Sequence, residues 1–595
     1  MPAPRLPARF LASPTRWIAL GIGVGIASGL VAVAFFVCLE ATVHFCFGVL
    51  AGMPMLVPPG DRLDLPLEIA VAPRPWVRFV LPALGGLLSG LLVFRFAPEA
   101  EGHGTDEMIR AFHHQRGVVR ARVPLVKGLA TIITLGTGGS AGKEGPIAQI
   151  GGGIGSLLAR ALGLPDRDRR TLLLAGVAGG LGAIFRAPLG SAITAIEVLY
   201  REDFESDALI PCVISSVSAY VVFTLVLGST RIFAVPNLPL AQPYELWGFV
   251  LLALICVPVG RLYVWVFYLL RDRLFRRMPL PKAVVSMSGG LGVALIGLFV
   301  PEAYGTGWGA IQRALDGDLF LTTLALALLA KILATSFTIG SGGSGGVFGP
   351  TLFIGAMLGG LVGHGGHALA APYFPHPAAY VLVGMASFFA GVASAPIGAM
   401  LMVAEMTGGY TLLPALMLVS VVAIVLQRGH SIYRFQVKDR FRSPAHAGEL
   451  VVNVLEEMRV KDVMEESPAI PTLPPSARLE AIRALLTDGH HPTVPVQDAG
   501  GAIVGLLTTE HLRPVLDDRH LDALVVASDI CAPPAWVHPD DDLARAHQLF
   551  QACGCPQIPV LGGSETSHRG RIIAMLDYRA VMRAFEGEVA RRRRN

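Results

Sequence analysis

Over the first three quarters of the chain, apolar residues run on with neither the alternation of a strand nor the narrow stripe of a surface helix. Trp17 to Val37, Trp76 to Phe94, Trp247 to Leu270 and Ala378 to Met402 are nearly continuous apolar stretches. As helices, each is long enough to cross a hydrocarbon core of about 30 Å. The pattern therefore predicts many membrane spans. Near Lys438 it changes to short apolar strands, charged helical stretches and frequent prolines, which predicts a domain boundary between Tyr433 and Val460.

The apolar part matches itself at an offset of roughly 203 to 208 residues, in three ordered blocks. Pro98-Glu99-Ala100-Glu101-Gly102-His103-Gly104 pairs with Pro301-Glu302-Ala303-Tyr304-Gly305-Thr306-Gly307. Lys127 to Gly151, with GTGGSAGKEGP, pairs with Lys331 to Gly355, with GSGGSGGVFGP. Ala187-Pro188-Leu189-Gly190 and Glu197 pair with Ala395-Pro396-Ile397-Gly398 and Glu405. Gly and Pro are common in membrane helices, but three blocks in one order are not a product of composition. Duplicated halves interrupted by Gly and Pro at matching places point to a transporter whose site lies between the halves. The loop after Leu270, Arg-Asp-Arg-Leu-Phe-Arg-Arg, is basic as an inverted second half requires.

Composition agrees: 53% of the 595 residues are hydrophobic and 15% charged, which excludes an ordinary soluble protein and makes the lipid bilayer the first partner. The net charge of +4 says little about partners, and no nucleic-acid partner is expected. Its placement is more useful: Arg5/Arg9/Arg16, Arg271 to Arg277, Arg434 to Arg442 and Arg591 to Arg594 are basic patches expected on the cytoplasmic side of an inner membrane. The apolar run after Arg16 is long and lacks a small-residue cleavage site, so it reads as a retained span with the N-terminus inside. The seven cysteines indicate no disulfide framework, and Cys553 with Cys555 makes no zinc set.

A dehydrated anion at membrane depth needs donors without a full counter-charge, since a buried lysine would hold it too tightly to release. Backbone N–H groups at helix N-termini fit that requirement. Gly142-Lys143-Glu144-Gly145-Pro146 and Gly346-Val347-Phe348-Gly349-Pro350 both read as loops entering a helix, with proline at a first-turn position whose N–H is dispensable. Irregular backbone at that depth is tolerated only when buried in protein or lining a cavity, so these loops are expected to surround a pathway.

GKEGP, GGVFGP, the APLG and APIG helices and the late Ser431-Ile432-Tyr433 together resemble the CLC family of chloride channels and chloride/proton exchangers, over essentially the whole chain. The resemblance implies a polytopic α-helical membrane domain over 1–445, with inverted repeats at about 17–235 and 236–436. It also implies a homodimer with one chloride pathway per subunit, a bound chloride and no required cofactor. Glu144 is then the gating glutamate, whose carboxylate occupies the anion path and swings away when protonated. Gly102, His103, Gly104, Gly142, Lys143, Gly145, Gly346, Val347, Phe348 and Tyr433 are then the anion-binding set, with the amides of Val347 and Phe348 and the Tyr433 hydroxyl nearest the ion. Two positions depart from the family. Where it commonly reads GSGIP, this chain has Gly102-His103-Gly104-Thr105-Asp106, which bears on chloride against nitrate; His103 either donates to the anion or points away. Where exchangers often carry a second acid for internal proton transfer, this chain has Val198 after Glu197, as channels do. Glu197 and Glu405 are expected to satisfy backbone at helix ends.

Residues 446–595 resemble a cytoplasmic α/β tandem of CBS modules, at about 458–516 and 525–585: Val460-Lys461-Asp462-Val463-Met464, an apolar helix, Pro492 to Val496 and Gly505 to Thr508, then a second such unit from Ala527 to Leu576. Many such pairs bind adenine nucleotides, but His511 and Ala580 stand where the ribose-binding acids are expected. Two other classes make demands of their own. A CBS-containing intramembrane protease needs an HExxH helix, and His364-Gly365-Gly366-His367 lacks both the glutamate and the spacing. A CBS-containing magnesium transporter needs clustered carboxylates within the spans. No enzyme chemistry is required.

Overall fold

The computed structural model describes residues 15–63, 72–236, 238–239, 243–446, 454–465, 470–486, 491–515, 521–522, 524–562 and 570–594. Arg5 and Arg9 lie outside them. The chain forms two compact units, Met1–Ala445 and His446–Asn595.

The first unit is helical, and among the described residues its α-helices fall into two runs of eight. The first comprises α1 (Arg16–Val43), α2 (Pro75–Phe96), α3 (Thr105–His114), α4 (Arg122–Gly136), α5 (Glu144–Ala161), α6 (Asp166–Phe185), α7 (Pro188–Glu197) and α8 (Leu209–Leu227). The second comprises α9 (Leu246–Leu269), α10 (Lys282–Phe299), α11 (Trp308–Asp316), α12 (Leu321–Gly340), α13 (Phe348–Ala370), α14 (Pro377–Ala393), α15 (Pro396–Thr407) and α16 (Leu413–Gln427). Among the described residues, eight stretches are long and apolar enough to span a bilayer. Close helix contact is bought with glycine: a Cβ on Gly151 of α5 would lie 2.1 Å from the Gly176 carbonyl of α6, and one on Gly355 of α13 2.3 Å from the Gly384 carbonyl of α14.

One predicted span is corrected. Ala378 to Met402 is not a single helix: α14 stops at Ser394, whose φ of 55° is left-handed, and α15 starts anew at Pro396. Arg186, at φ 52°, breaks α6 from α7 in the same way before Pro188. In each pair the proline removes the donor and restricts the residue before it, so the helix must end there.

The halves are tied by reciprocal contacts. The Glu197 carboxylate, at the C-terminal end of α7, accepts from the amides of Ile397 (3.1 Å) and Gly398 (2.7 Å) in the first turn of α15. Glu405, late in α15, accepts from Leu189 (3.2 Å) and Gly190 (2.7 Å) in the first turn of α7. The two carboxylates thus satisfy helix-terminal donors, as expected of them. Because each joins one helix's end to the other's start, α7 and α15 run antiparallel.

The second unit contains two similar α/β modules. In the first, Leu473 bridges in parallel to Val496 of β1 (Thr493–Gln497), which pairs antiparallel with β2 (Ile503–Thr508); α17 (Leu479–Leu486) precedes β1. In the second, Val537 bridges in parallel to Val560 of β3 (Gln557–Gly562), which pairs antiparallel with β4 (Arg571–Asp577); α18 (Leu543–Cys553) precedes β3 and α19 (Tyr578–Arg594) follows β4. Entry segments are exchanged: Val460 packs in the core of the second module and Ala527 in that of the first. His511 accepts from the Thr508 amide at 3.2 Å, closing a turn after β2.

Candidate anion pathway

Two glycine loops meet where the halves join. Gly142 and Gly346 exchange both backbone hydrogen bonds, each 2.7 Å, in a short antiparallel pair. From this point α5 and α13 start at Glu144 and Phe348, one residue into the corresponding loops. Their first-turn amides have no helical acceptor, so two positive helix ends converge on one buried place. The loops before α3 and α11 are held by buried lysines: Lys127 Nζ donates to the carbonyls of Ala100 (3.1 Å) and Gly102 (2.7 Å), and Lys331 Nζ to those of Ala303 (3.3 Å) and Gly305 (2.7 Å).

Glu144 is fully buried. Its Oε2 accepts from the Gly349 amide at 3.1 Å, across the halves, while Oε1 has no hydrogen-bond partner. A Cβ on Gly142 would sit 2.0 Å from that Oε2, so glycine there makes room for the carboxylate. Phe348, the repeat mate of Glu144, turns its ring into the core against Phe185 (4.9 Å between centroids) and Phe389 (3.9 Å). Tyr433 is also buried, with Thr105 beside it, and its hydroxyl makes no hydrogen bond of ordinary geometry among the described residues. The His103 ring lies against Tyr433 (5.5 Å) and Phe267 (6.2 Å), and its buried Nδ1 has no hydrogen-bond partner among the described residues. The His103 carbonyl packs onto Gly145, where a Cβ would be 2.2 Å away. Gly104, Gly145 and Val347 are buried like Glu144, Gly102 is half-buried, and Val198 is buried just past the end of α7, its carbonyl accepting from Gln436 at 2.8 Å.

The Lys143 side chain is committed elsewhere. Its Nζ pairs with Asp61 at 2.5 Å and lies over the rings of Phe36 (4.6 Å) and Trp308 (4.5 Å), leaving only its backbone for the loop. Asp61 escaped the sequence reading, although a lysine at membrane depth calls for a nearby acid. Beside it opens a cavity of about 300 Å³ lined by Glu40, Asp61, Arg78, Glu302 and Arg313 among others.

Comparison with known proteins agrees with this geometry. Residues 85–428 match the family described as voltage gated chloride channel. A putative chloride channel protein, ClcB-like, of Ralstonia nicotianae is 31% identical over 406 residues, 68% of this chain and 91% of the relative. The H(+)/Cl(-) exchange transporter ClcA of Vibrio cholerae is 32% identical over 437 residues, 71% of this chain and 89% of the relative. Among solved structures, a slow cyanobacterial Cl-/H+ antiporter has a TM-score of 0.61 at 25% identity, covering 70% of this chain and 96% of its own. A eukaryotic CLC transporter, at 20% identity and a TM-score of 0.57, shares the fold over 94% of this chain and 97% of its own. These matches leave the protease and magnesium-transporter readings without support, and the chain belongs to the voltage-gated chloride channel family, the CLC family.

Proposed function

We propose that this protein carries chloride across a membrane in exchange for protons, with Glu144 as the gate in the anion path. The observation that carries the reading is the Glu144 carboxylate seated on the Gly349 amide between two helix N-termini. A carboxylate and a chloride are both anions and compete for the same amides. Protonation removes the carboxylate's claim, so the group that blocks the path is also the group that binds the proton. The relatives named as H(+)/Cl(-) exchange transporters support coupling.

The anion-binding set is the backbone of Gly102, Gly104, Gly142, Lys143, Gly145 and Gly346, the amides of Val347 and Phe348, and the side chains of His103 and Tyr433. The Lys143 ammonium is excluded because Asp61 holds it. The protein works as a homodimer in an inner membrane, with the N-terminus and residues 446–595 in the cytoplasm. Those residues form a tandem CBS pair, which the two repeated modules support. A passive chloride channel is the second reading, favoured by Val198, which cannot bear a proton. Glu144→Gln tests the gate in reconstituted vesicles: chloride flux should lose its pH dependence and proton movement should stop. An unchanged pH profile would reject Glu144 as the gate.

A further inference from the structure

Two more titratable groups stand on the turn Gly102-His103-Gly104-Thr105-Asp106, which packs against the loop of Glu144. His103 presents a buried, unpartnered Nδ1 beside Tyr433. Asp106, also buried, accepts from the Phe435 amide at 2.9 Å, two residues past Tyr433. The groups that face the pair are Glu107 on α3, Lys127 on α4, Tyr268 and Arg271 at the end of α9, and Tyr433 and Arg434 on the segment after α16. Arg434 pairs with Asp272. Arg271 and Arg434 belong to basic patches that the positive-inside rule assigns to the cytoplasm. Asp106 is thus tied through the Phe435 amide to the segment that carries Tyr433 and Arg434, and His103, three residues before it on the same turn, sets its ring against Tyr433 and its carbonyl against Gly145 in the loop of Glu144.

An anchor for the Phe435 amide needs only an acceptor oxygen, which asparagine supplies at no electrostatic cost. A buried carboxyl is the more expensive choice. So is an imidazole with a bare nitrogen in an apolar wall. Both expenses have a use if the groups carry protons.

We propose that Asp106 and His103 form the cytoplasmic limb of the proton path to Glu144, a task that Val198 cannot perform. The Asp106 carboxylate takes a proton from cytoplasmic water and passes it to His103 Nδ1, becoming a carboxylate again. The imidazolium gives a proton to the Glu144 carboxylate and returns to neutral imidazole, and Glu144 releases the proton to the outer side. Only O–H and N–H bonds form and break. The inference rests on the proton-exchange reading above.

The test is made on the full chain in liposomes under a potassium/valinomycin clamp, with protons counted per chloride. In Asp106→Asn, which keeps the acceptor for Phe435, the ratio should fall about a hundredfold, the scale of a lost positioned proton carrier, while chloride still leaves the vesicles. Asp106→Glu should restore it, and His103→Gln should lower the ratio in the same way, with its chloride flux expected to change as well because the His103 side chain belongs to the anion-binding set. A normal ratio in Asp106→Asn would make Asp106 a mere anchor, and a normal ratio in His103→Gln alone would break the relay; either overturns the proposal. Should Asp106→Asn fail to fold, His103→Gln carries the test. Chloride flux without protons in the unaltered protein overturns the proposal and leaves chloride transport standing, whereas no chloride flux at all rejects both.

Discussion

Lys143 sits one residue from Glu144, the gate proposed above, and what its charge does depends on Asp61. A free ammonium there would trap chloride; paired at 2.5 Å and covered by Phe36 and Trp308, it becomes part of the wall. Removing one partner of such a buried pair typically costs about 3–5 kcal/mol, because the other charge stays buried and uncompensated. Asp61→Asn is expected to lower the melting temperature of the purified protein, and Asp61→Asn with Lys143→Met to recover much of the loss. Recovery would show as a midpoint near that of the parent; a double variant as unstable as Asp61→Asn would argue against the pairing. Glu144 was legible in the sequence because GKEGP packs its chemistry into five neighbours. Asp61 was not, since 82 residues separate it from Lys143 and only the fold brings them together. The orientation of His103 was open for a similar reason: its partners Tyr433 and Phe267 come from distant segments.

At the scale of elements, the joint between the halves is made by helix ends. Glu197 and Glu405 each satisfy two first-turn donors of the opposite half. Leaving a buried donor unsatisfied costs about 1–3 kcal/mol. Glu197→Ala and Glu405→Ala should each destabilise the protein by roughly that amount, with Glu197→Ala the larger effect because Glu197 is the more deeply buried. Thermal unfolding of the two variants checks this, and equal midpoints to the parent would contradict it. The repeat blocks announced both carboxylates. The break at Ser394 was hidden, because Ala-Ser-Ala reads as apolar and hydropathy carries no information about φ. Pro396 and its mate Pro188 were the available signal.

For the whole molecule, the antiparallel crossing of α7 and α15 and the basic loop after Leu270 both support the proposal that the duplication is an inverted one. The second unit's two modules were also legible from their alternating strands, whereas the exchange of entry segments was not, since Val460 and Ala527 carry no mark of which core they join. His511 closes its own turn with Thr508, and the Ala580 amide lies 3.4 Å from Asp577. With no acid at either place to hold a ribose, millimolar adenine nucleotide is expected to leave the melting temperature unchanged; a saturable rise would show a site of a different make. The central claim, exchange of chloride for protons through one gated path, is tested most directly by recording external chloride and pH together as reconstituted vesicles discharge under a potassium/valinomycin clamp. Chloride leaving while protons move the opposite way in fixed proportion, and protons driven uphill by the chloride gradient, are the predicted result. Chloride flux with no accompanying protons would contradict exchange and leave a channel with Val198 as its reason, and the absence of any chloride flux would contradict the account as a whole.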